Sequence, residues 1–146
     1  MIRAFRKEDL AAVMQIWLDA NRKAHAFIPE EYWAPQYAAV EKQLPRAEVF
    51  VHEAEGTRQI LGFIGLAGDY IAGLFVREDA GGAGVGTQLL HWAKGRRETL
   101  RLSVYRKNVR AVSFYRREQF TVQAEAVDAD THERELTMCW SRAPRP

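Results

Sequence analysis

Residues 81–86 read Gly-Gly-Ala-Gly-Val-Gly, set between the apolar run Ile71–Val76 and the amphipathic stretch Thr87–Lys94. A strand, a glycine loop and the start of a helix present bare backbone N–H groups to a phosphate. Glycine permits close approach and positive φ, and the helix N-terminus adds partial positive charge. The spacing excludes two common phosphate sites. A P-loop ends in Gly-Lys-Ser/Thr, and no lysine separates Gly86 from Thr87. A dinucleotide fingerprint needs G-x-G-x-x-G; counted from Gly82 its third glycine falls on Thr87, and counted from Gly84 on Leu89. What stays is G-x-G-x-G leading into a helix, with Asn108, Ala111 and Phe114-Tyr115 farther along the chain.

A chain of 146 residues makes one domain, 1–146, and buries roughly 70% of the surface its unfolded form exposes. Lys plus Arg is 21 against 19 Asp plus Glu. This near balance speaks against a nucleic acid or another polyanion as partner, although basic residues gather between Arg96 and Arg117. The single cysteine, Cys139, rules out an internal disulfide framework and suits a reducing compartment. No apolar stretch approaches 18 residues and no basic-then-apolar leader opens the chain, so a cytoplasmic protein without a membrane segment is expected. His52, His91 and His132 have no metal-ligand partners at recognisable spacing, so no metal site is expected. Monomer and homodimer both stay open.

Periodicity orders the rest. Ile2–Phe5 reads as a short strand. Glu8–Lys23 puts Leu10, Val13, Met14, Trp17 and Leu18 on one helical face. Pro29 is expected to open a second helix, favoured by Glu30 and Glu31 and ending near Pro45. Strands follow at Glu48–Glu53 and Ile60–Leu66, with a turn at Glu55-Gly56-Thr57, and a further strand covers Tyr70–Val76. Helices at Val85–Lys94 and Ala111–Glu118 alternate with strands at Leu100–Tyr105, Phe120–Ala124 and Glu135–Trp140. The expected fold is α+β: a mixed, mostly antiparallel sheet of six to seven strands with helices on both faces.

The glycine loop together with Asn108, Ala111 and Phe114-Tyr115 resembles two motifs of the GNAT family, the acetyl-CoA-dependent N-acetyltransferases. The likeness covers nearly the whole chain, and Ile16-Trp17, His25-x-Phe27-Ile28 and Tyr32 bring it close to small bacterial members. The resemblance implies the acyl-CoA N-acyltransferase fold and acetyl-CoA as the acetyl donor. It implies that Leu74, Phe75 and Val76 hydrogen-bond the pantetheine arm like an added strand. Gly82, Ala83, Gly84, Val85, Gly86 and Thr87 would cradle the pyrophosphate. Asn108, Ala111 and Tyr115 would complete the cofactor side, with Arg117, or Arg116 beside it, near the 3′-phosphate.

Acyl transfer to an amine needs a seat for the thioester, a deprotonated amine and a proton for the leaving thiolate. Tyr115 is the candidate for the last. Phenol and thiol differ by roughly 1.5 pKa units in water, about 2 kcal/mol, which hydrogen bonding in the transition state offsets. Asn108 can cap the helix that follows while its amide touches the cofactor. A lysine amine is deprotonated in only about one molecule in 10³ at neutral pH, so a base or water must accept its proton. The candidates are His25, Tyr70, Glu30 and Glu31, and His25 titrates in the useful range. Phe27, Tyr32 and Trp33, with His25, Glu30 and Tyr70, would bind the acceptor, since ring faces and carboxylates suit a cationic amine. That amine is a protein lysine or a small polyamine-like molecule.

Two positions depart from the family pattern. Gly81 stands where Arg or Gln usually begins the phosphate loop, which removes a charge-assisted bond of about 1.5–3 kcal/mol. Arg77 is a possible substitute. Gln119 replaces the glycine that ends a helix in the left-handed conformation, at a cost on the order of 1 kcal/mol. The alternative to an enzyme is therefore a catalytically weak acetyl-CoA-binding sensor.

Overall fold

The computed structural model describes residues 1–80 and 84–142. Seven strands form one sheet: β1 (Ile2–Ala4), β2 (Glu48–Glu53), β3 (Ile60–Ala67), β4 (Tyr70–Val76), β5 (Thr99–Tyr105), β6 (Thr121–Val127) and β7 (Arg134–Ser141). The order across it is β1-β2-β3-β4-β5-β7-β6. All neighbours are antiparallel except β4 and β5, which run parallel. Four helices complete the fold: α1 (Leu10–Ala24), α2 (Trp33–Gln43), α3 (Val85–Lys94) and α4 (Val109–Arg117).

The helices divide between the two faces because alternation along the strands sends apolar residues both ways. On β2, Val49 and Val51 point to one side and Phe50 to the other. Val13, Met14 and Trp17 of α1 and Trp33 of α2 pack on the first side with Phe63. Val85, Leu89, Leu90 and Ala93 of α3 and Tyr115 of α4 pack on the second with Ile64, Leu102 and Met138. Gly62 on β3 lets the layers close, since a Cβ there would lie 2.8 Å from the Phe75 carbonyl oxygen.

Element ends differ from expectation in instructive ways. Residues Lys7–Asp9 form a 3₁₀ turn, and α1 begins only at Leu10. The Asp9 carboxylate is buried there, accepting from the Arg3 guanidinium at 2.8 and 3.0 Å and from the Arg6 N–H at 2.8 Å. Pro29 does not sit in the first turn of α2. It is extended, at φ −55 and ψ 139, and precedes a 3₁₀ turn at Glu30–Tyr32, so the α-helix starts at Trp33. Strand β6 runs three residues beyond Ala124, to Val127. It is the sheet edge and all seven of its residues are exposed, so no buried face marks its end in the pattern.

Candidate active site

The parallel pair β4 and β5 meets at one register position, Tyr70 opposite Arg101. Beyond it β4 continues to Val76 paired with β3 alone, so among the described residues its other edge carries backbone groups without a strand partner. The register slips between Gly65 and Leu66, which leaves Ala72 as the extra residue of a β-bulge that bends β4 away. A wedge thus opens in the middle of the sheet, and the N-termini of α3 and α4 follow the ends of the two strands that line it.

Leu74 and Val76 pack toward α3 and α4, while Phe75 turns to the opposite face against Phe63, with ring centroids 5.5 Å apart. At the start of α3, Gly84 takes φ 76, a left-handed conformation that glycine adopts without a Cβ penalty. Val85 is buried beneath it, and Gly86 faces Val76 and Phe114, with room for ordinary contact. Thr87 is half-buried in the first turn. Gly81, Gly82 and Ala83 lie outside the described residues. Arg77 is engaged by Asp79 at 2.6 Å, whereas Arg116 and Arg117 are exposed and form no ion pair among the described residues.

Asn108 caps α4, its Oδ1 accepting from the Ala111 N–H at 3.2 Å. Two turns later Tyr115 is 8% exposed, its ring against Phe114 at 5.1 Å and Phe120 at 5.4 Å. Burial pushes its phenol above the ordinary range, so the hydroxyl stays protonated. Phe114 is the less buried of the two.

On the face of α1 and α2, aromatic side chains line the open end of the wedge. The ring of His25, which caps the C-terminus of α1, stacks on Trp33 at 5.8 Å. Phe27 meets it edge-on at 5.7 Å and Tyr105 at 5.0 Å. Desolvation lowers the imidazole pKa to about 4, so His25 is neutral. Its Nε2 lies 3.2 Å from Asn108 Nδ2 and its Nδ1 lies 3.0 Å from Asn21 Oδ1. Tyr32 abuts Trp33, and burial, then the carboxylates of Asp128 and Asp130, hold its phenol above the ordinary range. Glu30 is exposed and paired with Arg22 at 2.6 Å, and Glu31 is exposed beside it.

The structure therefore gathers His25, Phe27, Tyr32, Trp33 and Asn108 at one end. Tyr70 lies apart from them, at the closed end of the wedge under the Arg101 guanidinium (4.8 Å). Arg101 and Tyr105 lie four steps apart along β5, about 13 Å. Three residues of this site escaped sequence reasoning. Tyr105 is an aromatic on the polar side of an alternating strand, and its hydroxyl donates to Asp128 at 3.1 Å. Asn21 is an amide on the buried stripe of α1. Glu135 is the register partner of Tyr105 and so shares its face; burial, then Asp128, raise its carboxyl above the ordinary range. Among the described residues no cluster of His, Cys, Asp and Glu could hold a metal, and no helix is long and apolar enough to cross a membrane.

The sequence and the fold have counterparts among known proteins. A family model described as acetyltransferase (GNAT) domain matches residues 45–122. Peptidyl-lysine N-acetyltransferase YiaC of Escherichia coli is 31% identical over 142 residues, 96% of each chain. Peptidyl-lysine N-acetyltransferase YjaB of the same species is 31% identical over 121 residues, 83% of this chain and 82% of its own. The solution structure of apo YjaB from E. coli superposes with a TM-score of 0.86 at 29% identity, covering 95% of each chain.

Proposed function

The chain belongs to the GNAT family of acetyltransferases, and from that premise we propose that it moves an acetyl group from acetyl-CoA to the side-chain amine of a protein lysine, as a single catalytic domain. The observation that carries this reading is the wedge between β4 and β5, with a neutral, buried phenol on its α4 side and an aromatic, carboxylate-bearing wall on its α1 side. Acetyl-CoA supplies an activated thioester and a thiolate leaving group. The free edge of Leu74–Val76 suits an extended amide-bearing arm. Gly84, Val85, Gly86 and Thr87 would offer helix N-terminal N–H groups to phosphate, and Gly82 and Ala83 would continue that cradle. Arg116 and Arg117, exposed and without an ion pair among the described residues, would be available to a further phosphate.

Tyr115 then donates its hydroxyl proton toward the leaving sulfur. Its raised pKa makes the phenol a weaker acid, but the same burial raises the basicity of a thiolate beside it, so the mismatch stays small. Phe27, Tyr32, Trp33 and Tyr105 form the wall along which a lysine stem would lie, with Asp128 and Glu135 balancing its charge. Glu135 is the carboxylate best suited to accept the amine proton, directly or through water, because a raised pKa brings it nearer the operating pH. The requirement that both substrates be held at once implies direct attack in a ternary complex.

The sensor reading keeps one observation in its favour. The lone pair of His25 is committed to Asn108, so the imidazole is not a free base. Amine-dependent thiol release separates the two readings. The enzyme acetylates lysine peptides, releasing one thiol per acetyl, and reacts more slowly with neutral amines of similar size. Equal rates on neutral amines would remove the cationic-acceptor assignment, and release on no amine would leave the sensor.

A further inference from the structure

We propose that His25 is a positioning residue: its imidazole clamps the Asn108 side chain and thereby fixes α4, the helix that carries Tyr115. The inference rests on the reading of Tyr115 given above and goes beyond it, since it assigns His25 a role other than base.

Four hydrogen bonds join Trp17 to Ala111 through Asn21, His25 and Asn108, at 2.8, 3.0, 3.2 and 3.2 Å. Their directions are fixed from both ends. The Trp17 carbonyl only accepts, so Asn21 turns Nδ2 to it and presents Oδ1 to His25. An amide oxygen only accepts, so His25 Nδ1 carries the ring proton. The Ala111 N–H only donates, so Asn108 presents Oδ1 to it and Nδ2 to His25. An amide nitrogen only donates, so His25 Nε2 carries the lone pair. One tautomer and no ring charge satisfy the whole chain. A second proton on Nε2 would meet the Asn108 N–H head-on.

The position of this chain gives it a function. Helices α1 and α4 lie on opposite faces of the sheet, and the chain crosses where β4 and β5 have parted. No strand pairing between β4 and β5 holds the two halves at that level. The rings of Trp33, Phe27 and Tyr105 hold the imidazole laterally. Of the charged groups beside these rings, Lys107 over Phe27, Asp128 at the Tyr105 hydroxyl and Glu135 opposite Tyr105, none forms a hydrogen bond with the imidazole among the described residues. Tyr115 is seven residues beyond Asn108, about 10 Å along α4. A small tilt at the cap therefore moves the phenol appreciably, and a misplacement near 1 Å costs about 10²-fold in rate.

The test pairs spectroscopy with kinetics. Ring ¹⁵N NMR of the wild-type protein is expected to show Nδ1 protonated and Nε2 bare at neutral pH, persisting to about pH 5. His25→Phe keeps the stacked ring and removes both hydrogen bonds; it is expected to lower kcat by about 10- to 10²-fold. The shape of its pH–rate profile stays that of the wild type, and His25→Gln, which offers both a donor and an acceptor, recovers part of the loss. Because His25 and Asn108 act as a unit, the double variant His25→Phe/Asn108→Ala is expected to be no slower than the slower single variant. An Nε2–H tautomer, a ring that titrates near 6.5 as a free histidine does, or multiplicative losses in the double variant would overturn the clamp. Loss of a limb of the pH profile in His25→Phe would make the imidazole a base instead. If the wild-type protein turns over no amine, the functional reading fails, and the NMR result still decides the clamp.

Discussion

Tyr70 stands opposite Arg101 where β4 and β5 touch, with the Arg101 guanidinium 4.8 Å from the Tyr70 ring centroid. This pair closes one end of a wedge whose other end lies beside Asn108 and His25. Because β4 keeps its pairing with β3 to Val76, the wedge opens without unravelling the sheet. If the free edge of Leu74–Val76 receives the cofactor arm as an added strand, those of its amides that face away from β3 exchange quickly in the free protein. They are expected to slow by at least about tenfold with acetyl-CoA bound, followed by NMR hydrogen exchange. Unchanged exchange under saturating acetyl-CoA would refute the added-strand role.

Gly84 and Gly56 make a matched pair of backbone probes. Both have positive φ, 76 and 82, and among the described residues neither has a neighbour within 4 Å of an added Cβ. Alanine at either should cost about 1–2 kcal/mol of backbone strain and lower Tm by about 3–6 °C. Only Gly84→Ala, at the start of α3, should also weaken acetyl-CoA, by about tenfold or more in calorimetry, because the strain is relieved by turning N–H groups off the phosphate. Equal affinity in the two variants would remove Gly84 from the cofactor cradle.

The acid response should come in two windows. The His25 pKa is lowered from 6.5 to about 4 by desolvation, so the unfolded chain takes up a proton first. Stability is therefore full above pH 6.5 and falls as the pH drops toward 4. His25→Phe should flatten Tm against pH across that interval. Asp9 behaves separately. Its hydrogen bonds to Arg3 hold the carboxyl below the ordinary range, so its contribution is present above pH 3.8 and disappears only below it. Arg3→Met, which leaves that carboxylate without its cation, should cost on the order of 3 kcal/mol at neutral pH.

Glu135→Gln tests the proton acceptor. A protonated carboxyl cannot take the amine proton, so wild-type kcat/KM should rise with pH through the raised Glu135 pKa. The glutamine variant should lose that limb and at least about tenfold in kcat/KM, with acetyl-CoA affinity unchanged. A variant that keeps the limb shows that another group accepts the proton.

Most of the fold was legible because most of its strands carry a buried face. Leu100, Leu102 and Val104 alternate inward, and the same register put Tyr105 outward, where its role needed β7 and the Asp128 loop to become visible. Gln119 was legible through its place after α4: it takes φ 73, the left-handed conformation expected of the glycine it replaces. The boundaries that slipped had local causes, the Asp9 carboxylate at the start of α1 and the extended Pro29 before α2. The site was legible where one element carries it, as with Asn108 capping α4. The partnership of His25 with Asn108 was not, because 83 residues separate them and only the parting of β4 from β5 lets them meet. Tyr70 was placed with the acceptor residues by its position at the head of β4, and the parallel register sets it at the far end.

Tyr115→Phe measured for both acetyl-CoA binding and amine-dependent thiol release tests the central claim most directly. Among the described residues the Tyr115 hydroxyl donates no hydrogen bond to a side chain or backbone group, so its removal should leave Tm and the acetyl-CoA Kd close to wild type. Turnover on a lysine peptide should fall by about 10²-fold or more, the range expected for loss of a positioned proton donor. Wild-type turnover retained by the phenylalanine variant, with acetyl-CoA still bound, would contradict the account.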